Sequence, residues 1–486
     1  MSYQLDEADT QGFWLWWRLS VRTLAIALTC GVAGATLVAL AWRFGDKGPA
    51  ILVAVALIPF VLLLTINDPR VAMIIVFTSF LFGFTSITIF LFDIRLNIQA
   101  VDIAILLATL LVVMQRLAVR QVPISWAAPL WWSLLLVLWA IVSMTSALDQ
   151  SEAFKQVGSL ATGLILATIV FTLCRQIQDI DFICTALVIA AVAVGLPALS
   201  QTGELQSYYG GSIVEGRVTG IFGEPNELGL FSAMTAMIAA GLLLASRSSA
   251  RRFGYSAILA ILVLSLTLSL SRGAWMGAGV GILVLLVTLP VARRMLLVAG
   301  IPLLIVGFVV SSLAPSSPNV RIVGERLLSF GNIDQPYDDR PAIYTEAIRQ
   351  IRDDPMTGQG PGNFSVAAQR LTSGGIIVTA SHAHSAYLNI AAELGLPALL
   401  SLVAFILVLA LRGRRAIRAA HAEGRSSDAA LVAGIAAALA ANVTTGFVNN
   451  FLGNPIIEPT IWVSIGMLLA AYRILCQPEK VAESLA

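Results

Sequence analysis

His382 and His384 stand two positions apart just before a long apolar run. An imidazole with an ordinary pKa near ~6.5 can take a proton from a hydroxyl at neutral pH. In an extended segment this spacing puts both rings on one side, which could suit a metal, yet no carboxylate or thiol follows at ligand spacing. General-base chemistry at one of the two is the stronger reading. The third histidine, His421, lies among arginines and reads as solvated. Three arginines complement the pair. Arg272 falls between two apolar runs, where a charge near hydrocarbon is costly unless it is paired or functional. Arg340 opens an amphipathic segment behind Asp338 and Asp339, and Arg217 sits in a Gly-rich loop. A guanidinium can hold phosphate oxygens through two parallel hydrogen bonds and keeps its charge throughout, so an anion is the ligand these residues suit. The plainer alternatives are snorkelling to the headgroups for Arg272 and a surface ion pair with Asp338 or Asp339 for Arg340.

Such residues need a frame. Of 486 residues, 58% are hydrophobic and 12% charged, and the mean hydropathy is +0.85. Soluble proteins carry about 25% charge, so too little polar surface remains here to cover a water-soluble particle. The chain belongs in a lipid bilayer. A net charge of +2 excludes the basic face that nucleic acid requires. Cys30, Cys174, Cys184 and Cys476 lie in or beside apolar runs without CxxC spacing, so neither a disulfide framework nor a zinc site is expected. Asp6, Glu7 and Asp9 occupy what would be the basic end of a signal peptide, and Trp14, Trp16, Trp17 and Arg18 fit the interfacial anchor of a retained first helix.

A spanning helix takes about 20 mostly apolar residues. Candidates fall near 21–42, 50–66, 71–92, 98–114, 124–146, 156–174, 181–199, 227–245, 255–270, 273–290, 296–314, 386–411, 428–449 and 456–475. The fold class is therefore all-α, a polytopic transmembrane bundle of about 12–14 spans. Arg247, Arg251 and Arg252, then Arg293 and Arg294, then Arg412, Arg414, Arg415, Arg418 and Arg425 all fall on one side, which the positive-inside rule makes cytoplasmic along with both termini. Residues 315–384 form the extended polar stretch on the other side. Within it, Pro341–Arg352 sets Tyr344, Ala347, Ile348 and Ile351 on one helical face, predicting an amphipathic helix along the membrane surface. Asp354-Pro355 with Gly358, Gly360 and Gly362 ends it in turns. Four regions result: N-terminal helices 1–199, central helices 200–314 with outer loops bearing Arg217 and Arg272, the loop 315–384, and C-terminal helices 385–486.

Four stretches carry a resemblance. His384-Ser385 is followed after nine residues by Gly395-Leu-Pro-Ala398, and before it come Gly220-Ile-Phe-Gly-Glu-Pro-Asn-Glu-Leu-Gly229, Leu268-Ser-Leu-Ser-Arg-Gly-Ala-Trp275, and Arg340 through Asp354-Pro-Met-Thr-Gly-Gln-Gly-Pro-Gly-Asn-Phe364. In type and order they resemble the O-antigen ligase and polymerase superfamily over roughly residues 200–410; Ala398, where a second glycine is common, is a mild departure. The resemblance implies a metal-independent inverting glycosyltransferase of the bacterial inner membrane, working at the periplasmic face without a cofactor. Its donor would be a glycan on undecaprenyl diphosphate and its acceptor lipid A-core in a ligase, or another lipid-linked glycan in an O-antigen or exopolysaccharide polymerase, with a chain-length regulator as a further partner. His384 would be the base, Arg272 and Arg340 the clamps on the diphosphate, and Arg217 and His382 further substrate contacts.

Two features point elsewhere. Asp179-Ile-Asp181 looks like a metal-holding DxD, but it falls in a short cytoplasmic loop and reads as solvated charge. Asp102 and Glu393 lie in or beside apolar spans, where carboxylates often serve transport. They keep a lipid-linked sugar transporter or flippase in view. Glu393 is nine residues beyond His384, about two and a half helical turns, too far to orient the imidazole directly.

Overall fold

A computed structural model describes residues 68–91, 94–115, 124–201, 206–209, 212–215, 217–295, 340–371, 381–450 and 452–477. The chain divides into two compact units, Met1–Ala72 and Met73–Ala486, and the helices below belong to the second except for Ala72, the first residue of α1. The apolar runs become helices α1 (Ala72–Ser79), α2 (Ala100–Met114), α3 (Leu130–Ser143), α4 (Gln150–Leu173), α5 (Ile177–Ser200), α6 (Pro225–Ala245), α7 (Ser249–Leu268), α8 (Arg272–Thr288) and α9 (Pro290–Met295). The polar region supplies α10 (Arg340–Asp353) and α11 (Phe364–Leu371), and the C-terminal part α12 (Ala386–Ala422), α13 (Ser426–Thr445) and α14 (Ile457–Cys476). Among the described residues, seven helices are long and apolar enough to cross a bilayer: α4, α5, α6, α7, α12, α13 and α14. The protein is a multi-pass membrane bundle. The spans expected at 21–42, 50–66 and 296–314, the tryptophan anchor, Cys30 and residues 315–339 lie outside the described residues.

Two local expectations are corrected. The span expected at 71–92 ends early: after α1 the chain forms a hairpin, β1 (Ser86–Leu91) against β2 (Ile94–Gln99), antiparallel from Ser86–Gln99 to Leu91–Ile94. The β-branched alternation of Ser86-Ile-Thr-Ile favours a strand over a continued helix. A second hairpin, β3 (Gln206–Tyr209) with β4 (Ser212–Glu215), adds to an otherwise helical fold. The helix expected over 341–352 exists as α10, but its buried face is Ile343, Glu346, Ala347 and Gln350, while Ile348 is exposed. Polar residues can be buried there because Gln350 Nε2 donates to Glu346 Oε1 at 2.9 Å and to the Phe364 carbonyl at 3.2 Å. The face packs on protein, joining Phe364, Ala383 and Ala392 in one apolar cluster with Leu388 against it.

The helix ends sort into two groups. At one end Arg251 pairs with Asp181 at 2.6 Å, His421 meets the Thr288 carbonyl at 3.0 Å, and Arg473 donates to the carbonyls of Phe171 and Cys174. The starts of α5 and α7 and the ends of α4, α8, α12 and α14 therefore share this basic end. The opposite end gathers the starts of α6, α8, α12 and α14 and the end of α13.

Helix α12 is two helices in series. Gly395 has φ 81° and ψ 174°, and Pro397 follows it without an N–H. The break strands the last carbonyls of the first half, which need donors in an apolar setting. Gln359 N–H reaches Ala392 O at 2.9 Å, Gly360 N–H and Ser143 Oγ reach Glu393 O at 2.9 Å each, and Trp139 Nε1 reaches Leu394 O at 3.0 Å. Leu396 N–H in turn donates to Pro355 O at 2.8 Å. A Cβ on Gly395 would lie 2.0 Å from Met356 O. Gly395→Ala is expected to destabilise by at least ~1–3 kcal/mol from backbone conformation alone, lowering the melting temperature in detergent by several degrees. An unchanged melting curve would mean the break is not fixed by this contact.

Candidate functional site

His384 occupies the turn that leads into α12, in the left-handed region with φ 48°. For a residue with a Cβ this conformation is uncommon, persists only when neighbours over-determine it, and concentrates at functional sites. Three successive anchors hold it. Ala383 N–H donates to Asn389 Oδ1 at 3.0 Å, and His384 N–H donates to His382 Nδ1 at 3.1 Å. Beyond it, Ala386 N–H is shared between the carbonyls of Gly446 at 2.8 Å and Asn449 at 3.0 Å. Ser385 caps the helix, accepting from Leu388 N–H. The two imidazoles meet edge to face, with centroids 4.4 Å apart.

Accepting from a backbone amide leaves His382 Nδ1 without a proton, so the neutral ring carries its hydrogen on Nε2. Burial lowers the His382 pKa from the ordinary value, and the Arg340 charge pushes in the same direction. Arg340, the first residue of α10, is thus electrostatically coupled to this turn.

Arg272 opens α8, behind the Ser271 cap. The start of α8 is held by the end of α13: Thr445 Oγ1 donates to Gly273 O at 3.2 Å, and a Cβ on Gly273 would lie 2.6 Å from Val448 Cγ2. The segment Thr445–Asn449 therefore receives both the α8 start, with Arg272, and the α12 start, with His384. Arg217 belongs to the adjoining layer. Its Nε donates to Ser269 O at 3.1 Å and its Nη2 to Asn226 Oδ1 at 3.0 Å, while Ser271 Oγ reaches the same Asn226 oxygen at 2.9 Å. Arg217 thereby braces the 269–271 turn, where Leu270 also takes a positive φ of 50°. Burial raises the Glu224 carboxyl above the ordinary range, with Arg217 opposing the shift.

The remaining carboxylates are accounted for locally. Glu393, buried on α12, accepts from Gly362 N–H at 3.0 Å and Phe364 N–H at 3.2 Å. Asp102 accepts from Gln99 N–H at 3.2 Å in the capping box of α2. Asp179 takes the N–H groups of Arg175 and Gln176 and Asp181 pairs with Arg251, so the DxD look-alike is a helix cap and an ion pair at the basic end. Among the described residues no cluster of His, Cys, Asp and Glu is arranged to hold a metal. Asn389 and Asn363 went unnoticed in the sequence. Asn363 accepts from Leu148 and Asp149 N–H and donates to Asp149 O and Pro361 O, tying the 354–364 turn to the start of α4.

The sequence profile described as O-antigen ligase matches residues 256–403, a range that holds Arg272, Arg340, His382 and His384. No curated protein matches the chain. A solved structure titled "Structural coordination of polymerization and crosslinking by a peptidoglycan synthase complex" is similar at 21% identity with a TM-score of 0.41, over 72% of this chain and 100% of that one.

Because its ring is buried and the Arg340 charge acts in the same direction, His382 is expected to resist protonation. In a His384→Ala/His421→Ala background, NMR of the one remaining imidazole should show a midpoint below the ordinary ~6.5. A midpoint at or above that value would contradict this environment.

Proposed function

Since the chain carries an O-antigen ligase family domain, a match that supports a glycan-handling enzymatic role, we propose that it moves a glycan from undecaprenyl diphosphate to an acceptor hydroxyl at the end of the bundle opposite the basic clusters. By the positive-inside rule that end is the outer one and the clusters Arg247–Arg252, Arg293–Arg294 and Arg412–Arg425 are cytoplasmic; the family resemblance implies the bacterial inner membrane, which makes the outer end periplasmic. The observation that carries the reading is the convergence of the Arg272 and His384 helix starts on Thr445–Asn449, with Arg340 coupled to His382.

In this reading His384 removes the acceptor proton as that oxygen attacks the anomeric carbon. The bond to the diphosphate oxygen breaks, and Arg272 and Arg340 stabilise the negative charge that develops on the leaving group. A single displacement inverts the anomeric centre. Neutral His382 keeps the His384 amide anchored, and Arg217 holds the turn on which Arg272 is mounted. The step needs no nucleotide and no metal. Lipid A-core is the acceptor we favour, following the His-Ser-x9-Gly match; a second lipid-linked glycan would make the same machinery a polymerase. The N-terminal, central, loop and C-terminal regions set out from the sequence then serve as scaffold, donor clamp, loop and base.

The test is reconstitution in proteoliposomes with lipid-linked glycan and acceptor. A transferase releases undecaprenyl diphosphate and yields a product whose acceptor separates ligase from polymerase, whereas a flippase releases none. His384→Ala should lower turnover by ~10²–10⁴-fold with donor binding retained, and His382→Ala should be milder; full activity of His384→Ala would remove the base assignment. Arg272→Lys keeps a point charge but loses the fork, so donor affinity or rate should fall. If neither changes, Arg272 serves only the headgroup region. Activity should persist in EDTA.

A further inference from the structure

Glu393 and Asn389 are buried polar residues on the first half of α12, and the proposed reaction uses neither. The Glu393 carboxylate takes the amides of Gly362 and Phe364. Asn389 Oδ1 takes the Ala383 amide between the two histidines. Ser385 already caps α12, so Asn389 is surplus to the helix and bonds a residue six positions back.

We propose that Asn389 is a positioning residue for His384: by accepting the Ala383 amide it holds the turn, and with it the imidazole, in the left-handed conformation. The inference rests on His384 being the base. The strain at φ 48° demands several independent restraints. Of the three amide anchors around His384, one comes from the neighbouring His382 ring, one from Thr445–Asn449 and one from Asn389. Ala383, the residue that Asn389 holds, packs in one apolar cluster with Phe364 and with Ile343 and Ala347 of α10, the helix that Arg340 opens.

The experiment uses the full chain in detergent and in proteoliposomes. Asn389→Ala should lower kcat on the order of 10–100-fold, as a displaced catalytic group does, while KM for the lipid-linked donor stays near wild type. Amide hydrogen exchange over residues 382–388 should accelerate while α8 and α13 keep their protection. Asn389→Asp retains an acceptor for the Ala383 amide and should keep both protection and most of kcat. Should Asn389→Ala fail to fold, Asn389→Leu, similar in size and without an acceptor, is compared with Asn389→Asp instead. Wild-type kcat in the variants lacking an acceptor, unchanged exchange over 382–388, or equal losses with Asp overturns the proposal. His384→Ala runs alongside. If it is inactive while Asn389→Ala is fully active, the brace fails and the base stands; if it is active, the base assignment fails and with it the positioning role, and the exchange data then report only on the turn.

Discussion

The broken helix α12 governs this architecture. A helix interrupted among apolar neighbours leaves carbonyls that water cannot reach, and each unsatisfied group there costs several kcal/mol. The protein meets that cost with backbone. Gln359, Gly360 and Leu396 exchange hydrogen bonds with the edges of the break, and Ser143 and Trp139 of α3 complete the set. The turn can come this close because Gly358, Gly360 and Gly395 lack side chains: a Cβ on Gly358 would lie 2.5 Å from the Glu393 carbonyl carbon, and one on Gly360 would lie 2.5 Å from Ala147 Cα. The polar segment 354–364 is thus a structural part of the bundle. The first half of α12, with His384 at its mouth, inherits a fixed orientation from it.

A second constraint fixes Arg272. Helices α6, α8 and α13 approach through small residues, as membrane helices commonly do. Gly241 and Gly434 face each other so closely that a Cβ on either would lie 2.7 Å from the other's Cα, and Gly277 would meet Thr445 Oγ1 at 2.3 Å. With little side chain between the backbones, the register of α8 on α13 has almost no freedom. The start of α8 is therefore set by the end of α13, the same segment that receives the α12 start. Two separately braced helix starts, one carrying a cation and one an imidazole, become neighbours of one short stretch of chain.

Much of this frame was legible in the sequence because it rests on local physics. Hydropathy marked the helices α2 through α8, α13 and α14 and the start of α12, whose other end runs on to Ala422 past the expected 411, and the turn chemistry around Asp354-Pro355 marked the end of α10. Legibility failed where tertiary contacts override local preference. Ser86–Leu91 is apolar enough to read as the tail of a span, yet it pairs with Ile94–Gln99 in a hairpin. The apolar face expected for α10 included Ile348, while the actual face buries Glu346 and Gln350, whose partnership involves Phe364, fourteen residues beyond Gln350. In the candidate site the histidines and arginines stood out by type. Asn363 and Asn389, which brace the surrounding turns, did not, because they acquire meaning only from the backbone groups of Leu148, Asp149 and Ala383 that the fold brings to them.

That distinction also bears on the carboxylates, which in an apolar span invite a transport reading. A carrier carboxylate must exchange its proton or ion, so its bonds in one state must be given up in another. Glu393 accepts two backbone amides from a turn locked to the α12 break, and Glu458, at the start of α14, accepts Gly453 N–H and Ser159 Oγ. Removing an acceptor from a buried amide costs about 1–3 kcal/mol, and more where charge is involved. Glu393 would forfeit two such bonds together and loosen the turn on which α12 depends. Its chemistry is that of a fixed anchor. The groups at this end that the proposed transfer would use are the His384 imidazole and the Arg272 and Arg340 guanidinium groups, whose ordinary chemistry is proton removal and the holding of an anion.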